Sequence, residues 1–95
     1  MKEKKKTLRQ WSEEELGQLC KEMETKPVPD IVQEMQTNNF WIKTIWFLEW
    51  VSAPKQYYFI KKMNKIICKR KIKIDLLSKL KEFALKNKVR IVIPD

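Results

Sequence analysis

The chain has no histidine and a single glycine, Gly17. Without histidine it lacks the side chain whose ordinary pKa lies nearest neutrality, and with it the usual general base and the commonest metal ligand. One glycine in 95 residues leaves few positions for the tight primed turns of β-hairpins, which argues against an all-β fold. Cysteine is almost as scarce. Cys20 and Cys68 stand far apart with no CxxC pair, so neither a disulfide framework nor a zinc site is indicated. Both are expected to act as small buried apolar groups in a reducing, intracellular compartment. Long apolar runs are missing too: the longest spans about twelve residues and contains Lys43 and Glu49, too short and too charged to cross a bilayer. The N-terminal lysines are not followed by the apolar stretch of a signal peptide. No Gly-rich phosphate loop, GxSxG or HExxH pattern occurs. The carboxylates of Glu13, Glu14 and Glu15 are accounted for by helix capping and the helix dipole. The expectation is therefore a non-catalytic protein with no metal and no cofactor.

What is abundant is lysine. Lys and Arg total 21 against 12 Asp and Glu, a net charge of +9, and only Arg9, Arg70 and Arg90 are arginines. The distribution is uneven. Residues 1–6 hold four lysines and one glutamate; residues 7–52 hold four basic and eight acidic side chains; residues 53–95 hold thirteen basic and three acidic. A polyanion would therefore meet the C-terminal half.

The other enrichment is aromatic. Asn38 to Val51 contains three of the four tryptophans and two of the four phenylalanines, and only Lys43, Thr44 and Glu49 interrupt its apolar side chains between Phe40 and Val51. A helix apolar on nearly all sides is expected to be a buried hub, and any surplus of aromatic surface to face a partner.

The remaining elements follow from period and punctuation. Residues 1–7 read as a flexible basic tail and 8–95 as a single helical domain. Ser12 and Glu15 have the spacing of a capping box, with Trp11 and Leu16 placed as a hydrophobic staple. Leu16, Leu19, Cys20 and Met23 then mark one face of a first helix ending near Thr25, in which Gly17 leaves room for close packing. Asp30 opens a second, short helix to about Gln36. Asn38 or Asn39 caps the hub helix, which Ala53-Pro54 stops. A fourth helix runs from Lys55 to about Lys69 with Ile60, Met63 and Ile67 inward, Tyr57 upstream of that stripe, and Phe59 and Ile66 widening it. A fifth helix runs from an Asp75 cap through Lys86, with Leu77, Leu80, Phe83 and Ala84 inward and Asn87 at its end. Lys71-Ile72-Lys73-Ile74 alternates with strand period, and Val89–Ile93 is rich in β-branched residues, so these two segments are expected to pair. The predicted fold class is mostly α: a compact bundle of four to five helices with a minor two-stranded β element near the C-terminus.

The function predicted from these features is non-catalytic binding of nucleic acid, DNA or RNA, through phosphate contacts from Lys61, Lys62, Lys65, Lys69, Arg70, Lys71 and Lys73, continued by Lys79, Lys81, Lys86, Lys88 and Arg90. With few arginines for bidentate guanine readout, backbone contact is expected to outweigh sequence readout. Tyr57 and Tyr58, beside the basic run, are placed to stack on bases or to pack at the core rim. Lys69-Arg70-Lys71 resembles part of a nuclear-localisation patch. The alternative is a protein-interaction or homodimerisation module using Trp41, Trp46 and Trp50 of the aromatic helix and a C-terminal strand edge. A membrane surface is the least favoured partner.

Trp11-Ser12-Glu13-Glu14-Glu15-Leu16, with Leu19 beyond, resembles the opening of the first helix of Myb/SANT domains, and residues 30–36 and 40–51 are similar in order to that family's second and third helices. The resemblance covers about residues 9–52. It implies that Asn38, Asn39 and Lys43 would face DNA, or, given the net acidic charge of this half, that a SANT-like protein-binding role applies.

Overall fold

The computed structural model describes residues 7–94. Of the tail assigned to residues 1–7, residues 1–6 lie outside them, and Thr7 belongs instead to the first helix as its N-cap. Five helices form in chain order: α1 (Leu8–Thr25), α2 (Val28–Met35), α3 (Asn38–Glu49), α4 (Ala53–Lys69) and α5 (Leu76–Lys86). The protein is mostly helical, and among the described residues there is no strand.

Helix α1 starts a turn earlier than the Ser12 box predicts. Thr7 is its N-cap: the Thr7 hydroxyl accepts from the Gln10 amide, and the Gln10 side chain accepts from the Thr7 amide. Thr7-x-x-Gln10 is thus a second capping box, and using it adds a turn of backbone hydrogen bonds. Ser12 is left inside the helix, buried, where its hydroxyl donates to the Leu8 carbonyl one turn back. Trp11 then lies within the helix, half exposed, and is not a staple residue ahead of it. Helix α2 opens at Val28, two residues ahead of Asp30, because Pro29 in its first turn gives up no hydrogen bond there. For α3 the cap is Thr37, which accepts from the Phe40 amide, and not Asn38 or Asn39. Asp75 and Asn87 bound α5 as predicted; the Ser78 hydroxyl and amide both donate to the Asp75 carboxylate and hold it below its usual pKa.

Neither expected strand, 71–74 or 89–93, forms among the described residues; each segment begins with the turn that closes the helix before it, α4 or α5. At Lys71 the backbone turns left-handed (φ 58°); the Lys71 amide donates to Cys68 and the Ile72 amide to Ile67. Lys88 repeats the pattern (φ 56°), with its own amide bonded to Leu85 and that of Val89 to Ala84. Both are Schellman motifs, in which the residue after the left-handed position closes the helix hydrophobically. Ile72 and Val89 do this, and both are buried. The alternation at 71–74 marks which side chains turn inward, with Ile74 half-buried and Lys71 and Lys73 exposed, and needs no sheet.

Left-handed backbone strains a lysine and suits glycine. The single glycine is used elsewhere, inside α1, where a Cβ would meet nothing within 4 Å. Gly17 therefore serves no close packing. Gly17→Ala and Lys88→Gly are each expected to stabilise the fold, by about 0.5–1 kcal/mol. Thermal unfolding checks this as a rise in midpoint of about 2–8 °C per substitution.

Helix α3 packs on α1, α2 and α5, while α4 packs on α1 and α5. The core joins Leu16, Cys20 and Met23 of α1 to Ile45 and Leu48 of α3, Ile60 and Met63 of α4, and Leu80 of α5. At its centre Trp41 is 2% exposed. Its indole donates to the Met35 carbonyl at the end of α2 (2.8 Å), stacks on Phe83 of α5 (centroids 6.3 Å apart) and meets Phe40 edge-on. Gln56 supplies a second buried tie: its amide nitrogen donates to the Leu48 carbonyl (2.7 Å), and its amide oxygen accepts from Val92 (2.9 Å), fastening the C-terminal segment beside α4.

Candidate nucleic-acid interface

Helix α4 forms because Ser52 and Pro54 start it and a run of helix-tolerant residues follows without interruption to Lys69. It buries Gln56, Phe59, Ile60, Met63, Ile66 and Ile67 against the bundle. That choice of face decides what remains outside. Tyr57, Lys61, Lys65 and Lys69 recur every fourth residue, so they form one ridge, about 18 Å long at 1.5 Å per residue. All four are exposed. Beside the ridge run Tyr58, exposed, and Lys62, half-buried.

These side chains line an open groove of about 1070 Å³. Ile66, Leu77 and Pro94 give it apolar surface, and Glu24 is the one carboxylate on its lining. The Lys61 ammonium lies 5.3 Å from the centre of the Tyr57 ring, and Tyr58 packs edge-on against Phe59 at 5.6 Å. Among the described residues, none of Lys61, Lys62, Lys65 and Lys69 is held in a salt bridge; Lys26 pairs with Glu22 and Glu34 elsewhere, where α1 meets α2.

The structure thus brings together Lys61, Lys62, Lys65 and Lys69. Lys71 and Lys73 are exposed but do not line the groove. Lys79, Lys81, Lys86, Lys88 and Arg90 are also exposed, on α5 and the segment after it. Arg70 borders the groove, yet its guanidinium is engaged inward: Nη1 donates to the carbonyls of Met23 and Lys26 at the C-terminal end of α1. Those carbonyls have no partner inside their own helix, and a cation is favoured at that end of the helix dipole. Arg70 is therefore a clamp between α4 and α1, a role that no local pattern announces because 44 or more residues separate the partners. Arg70→Ala is expected to cost about 2 kcal/mol, the scale of a hydrogen bond from a charged donor, with a fall in unfolding midpoint of roughly 10 °C. Arg70→Lys should recover only part of it, since one ammonium must replace a planar fork.

Of the residues predicted to meet a protein partner, Trp41 belongs to the core and is unavailable. Trp46 and Trp50 are 56% and 49% exposed, four residues apart on the outer side of α3. The hub helix is accordingly two-sided: Phe40, Trp41, Thr44, Ile45 and Leu48 are buried, and Ile42 and Phe47 are half-buried. The positions implied by the Myb/SANT resemblance, Asn38, Asn39 and Lys43, are exposed, and Lys43 lies over the Phe47 ring at 5.5 Å. Glu15, Glu22 and Glu34 border a separate cleft of about 220 Å³ between α1 and α3.

Cys20 is buried, and burial pushes its thiol up to about 11, which keeps it neutral and unreactive at physiological pH. Cys68, expected to be buried, is exposed, because it falls on the outer side of α4. Among the described residues no cluster of histidine, cysteine, aspartate or glutamate could hold a metal ion, and no helix is long and apolar enough to cross a membrane.

No protein-family model matches the chain, and no significant match to it occurs among curated proteins or solved structures.

Proposed function

We propose that the protein is a non-catalytic nucleic-acid-binding domain that contacts the phosphate backbone through the α4 groove. The observation that carries this reading is the concentration of Lys61, Lys62, Lys65 and Lys69 in one groove, without salt-bridge partners among the described residues and beside two exposed tyrosines. Four cations held this close repel one another and gain by meeting phosphates, and their condensed counterions are released when they do. Lysine makes this contact as a point charge. With Arg70 committed to α1, little remains for bidentate base readout, so affinity would depend weakly on sequence.

Titration of an oligonucleotide across a salt series tests this. Four phosphate contacts give a slope of log affinity against log salt of about −3. Absence of binding at low salt, or binding indifferent to salt, refutes the proposal.

A second reading rests on Trp46 and Trp50. Two half-exposed tryptophans on one helix ridge suit a protein-interaction surface, for a second copy of the chain or another protein, in keeping with a SANT-like role for residues 9–52. Among the described residues no strand edge is present to contribute. Trp46→Ala or Trp50→Ala would then disrupt association seen by sedimentation without unfolding the chain.

A further inference from the structure

We infer that the α4 groove takes single-stranded nucleic acid, with bases stacked on Tyr57 and Tyr58 and the backbone following Lys61, Lys65 and Lys69. This rests on the reading of the groove as a phosphate-binding surface and adds the form of the strand.

The tyrosines carry the inference. A duplex offers a protein its phosphates and the edges of its base pairs, but the base faces are stacked inside. Exposed rings and an apolar floor would gain nothing from it. Tyr57 and Tyr58 are 41% and 57% exposed at one end of the lysine ridge, and the lining of the groove also includes Ile66, Leu77 and Pro94. Burying aromatic surface on unpaired bases is the arrangement that sequence-tolerant single-strand binders use, a cationic groove for the backbone and rings for the bases.

The local geometry supports one nucleotide unit at this end. Lys61 stands over Tyr57, so the phosphate contact and the ring are neighbours on the same turn. Tyr58 is held edge-on by Phe59, which is itself buried, so the ring is braced from below while its side chain stays exposed. Beyond this, Lys65 and Lys69 follow at intervals of about 6 Å along the helix axis. A flexible single strand can adjust its phosphate spacing to such a row, whereas a duplex keeps its own.

The test compares labelled poly-dT and poly-U with a poly-dA·poly-dT duplex, and uses inorganic polyphosphate as an anion without bases. Single strands are expected to bind at least tenfold tighter than the duplex. Tyr57→Ala and Tyr58→Ala should each weaken single-strand binding by about tenfold, the scale of losing one stacked base, and leave polyphosphate binding as it was. Tyr57→Phe and Tyr58→Phe keep the ring and should bind as the original protein does. The poly-dT and poly-U arms tell whether DNA or RNA is preferred. Equal affinity for duplex and single strand, with the alanine variants unaffected, overturns the single-strand inference and leaves the phosphate-binding reading standing. No binding to any of the oligonucleotides at low salt overturns both.

Discussion

Trp41→Ala is expected to lower the unfolding midpoint by about 20 °C or more and to leave much of the protein unfolded near body temperature. The residue is fully enclosed, and removing a buried aromatic ring costs about 3–5 kcal/mol through lost contacts and the cavity left behind. The Met35 carbonyl at the end of α2 also loses its donor, which adds the penalty of an unpaired buried acceptor. A domain of this size has only about 5–13 kcal/mol in total, so one substitution removes a third or more. At about 4–8 °C per kcal/mol the shift is easily read from helical circular dichroism. Trp41→Phe keeps a ring against Phe83 but cannot reach the carbonyl, and should fall between. Trp46→Ala, in the same helix and exposed, should cost about 1 kcal/mol or less. Similar losses for Trp41→Ala and Trp46→Ala would contradict the two-sided description of α3.

The second large effect is on binding. Changing Lys61, Lys65 and Lys69 together to glutamate is expected to weaken oligonucleotide affinity more than a hundredfold at moderate salt and to flatten its salt dependence. Each phosphate contact on a single strand contributes about 0.7 to the log–log slope, which at about 0.1 M salt corresponds to roughly fivefold in affinity. Losing three contacts compounds to about a hundredfold before any repulsion from the new carboxylates is counted. The fold should survive, because all three side chains are exposed and none is in a salt bridge among the described residues. An unchanged affinity in the folded triple variant would place the phosphate contacts elsewhere, with Lys79, Lys81 and Lys86 of α5 the next to examine. Loss of folding instead would assign the ridge a structural role.

Much of the helical order was legible in the residues alone. The Asp75 cap and the Asn87 end of α5 and the Thr25 end of α1 are written in local chemistry that acts within about four residues. Ala53-Pro54, expected to stop α3, instead opens α4, and α3 ends earlier, at Glu49. The uneven charge also needs no structure to be seen. Local signals fail where two of the same kind compete. Thr7-x-x-Gln10 and Ser12-x-x-Glu15 have the same form, and the earlier one wins because Ser12 can satisfy its hydroxyl within the helix. They fail again where one pattern has two causes. Ile72 and Val89 are β-branched and inward-facing, as strand residues would be, yet they close helices at two left-handed lysines.

By itself the sequence determined a lysine-rich C-terminal half, an aromatic third helix and a chain without histidine or the GxSxG and HExxH patterns. Tertiary structure alone decided which sides of those helices face out. Trp41 is buried and Trp46 exposed because α1, α2 and α5 cover one side of α3. Likewise Arg70 turns from the basic surface to the open carbonyls of α1, and Tyr57 joins the lysine ridge, because α4 packs on α1 through its other face. Burial is set by which neighbours a helix finds, and those neighbours come from distant parts of the chain.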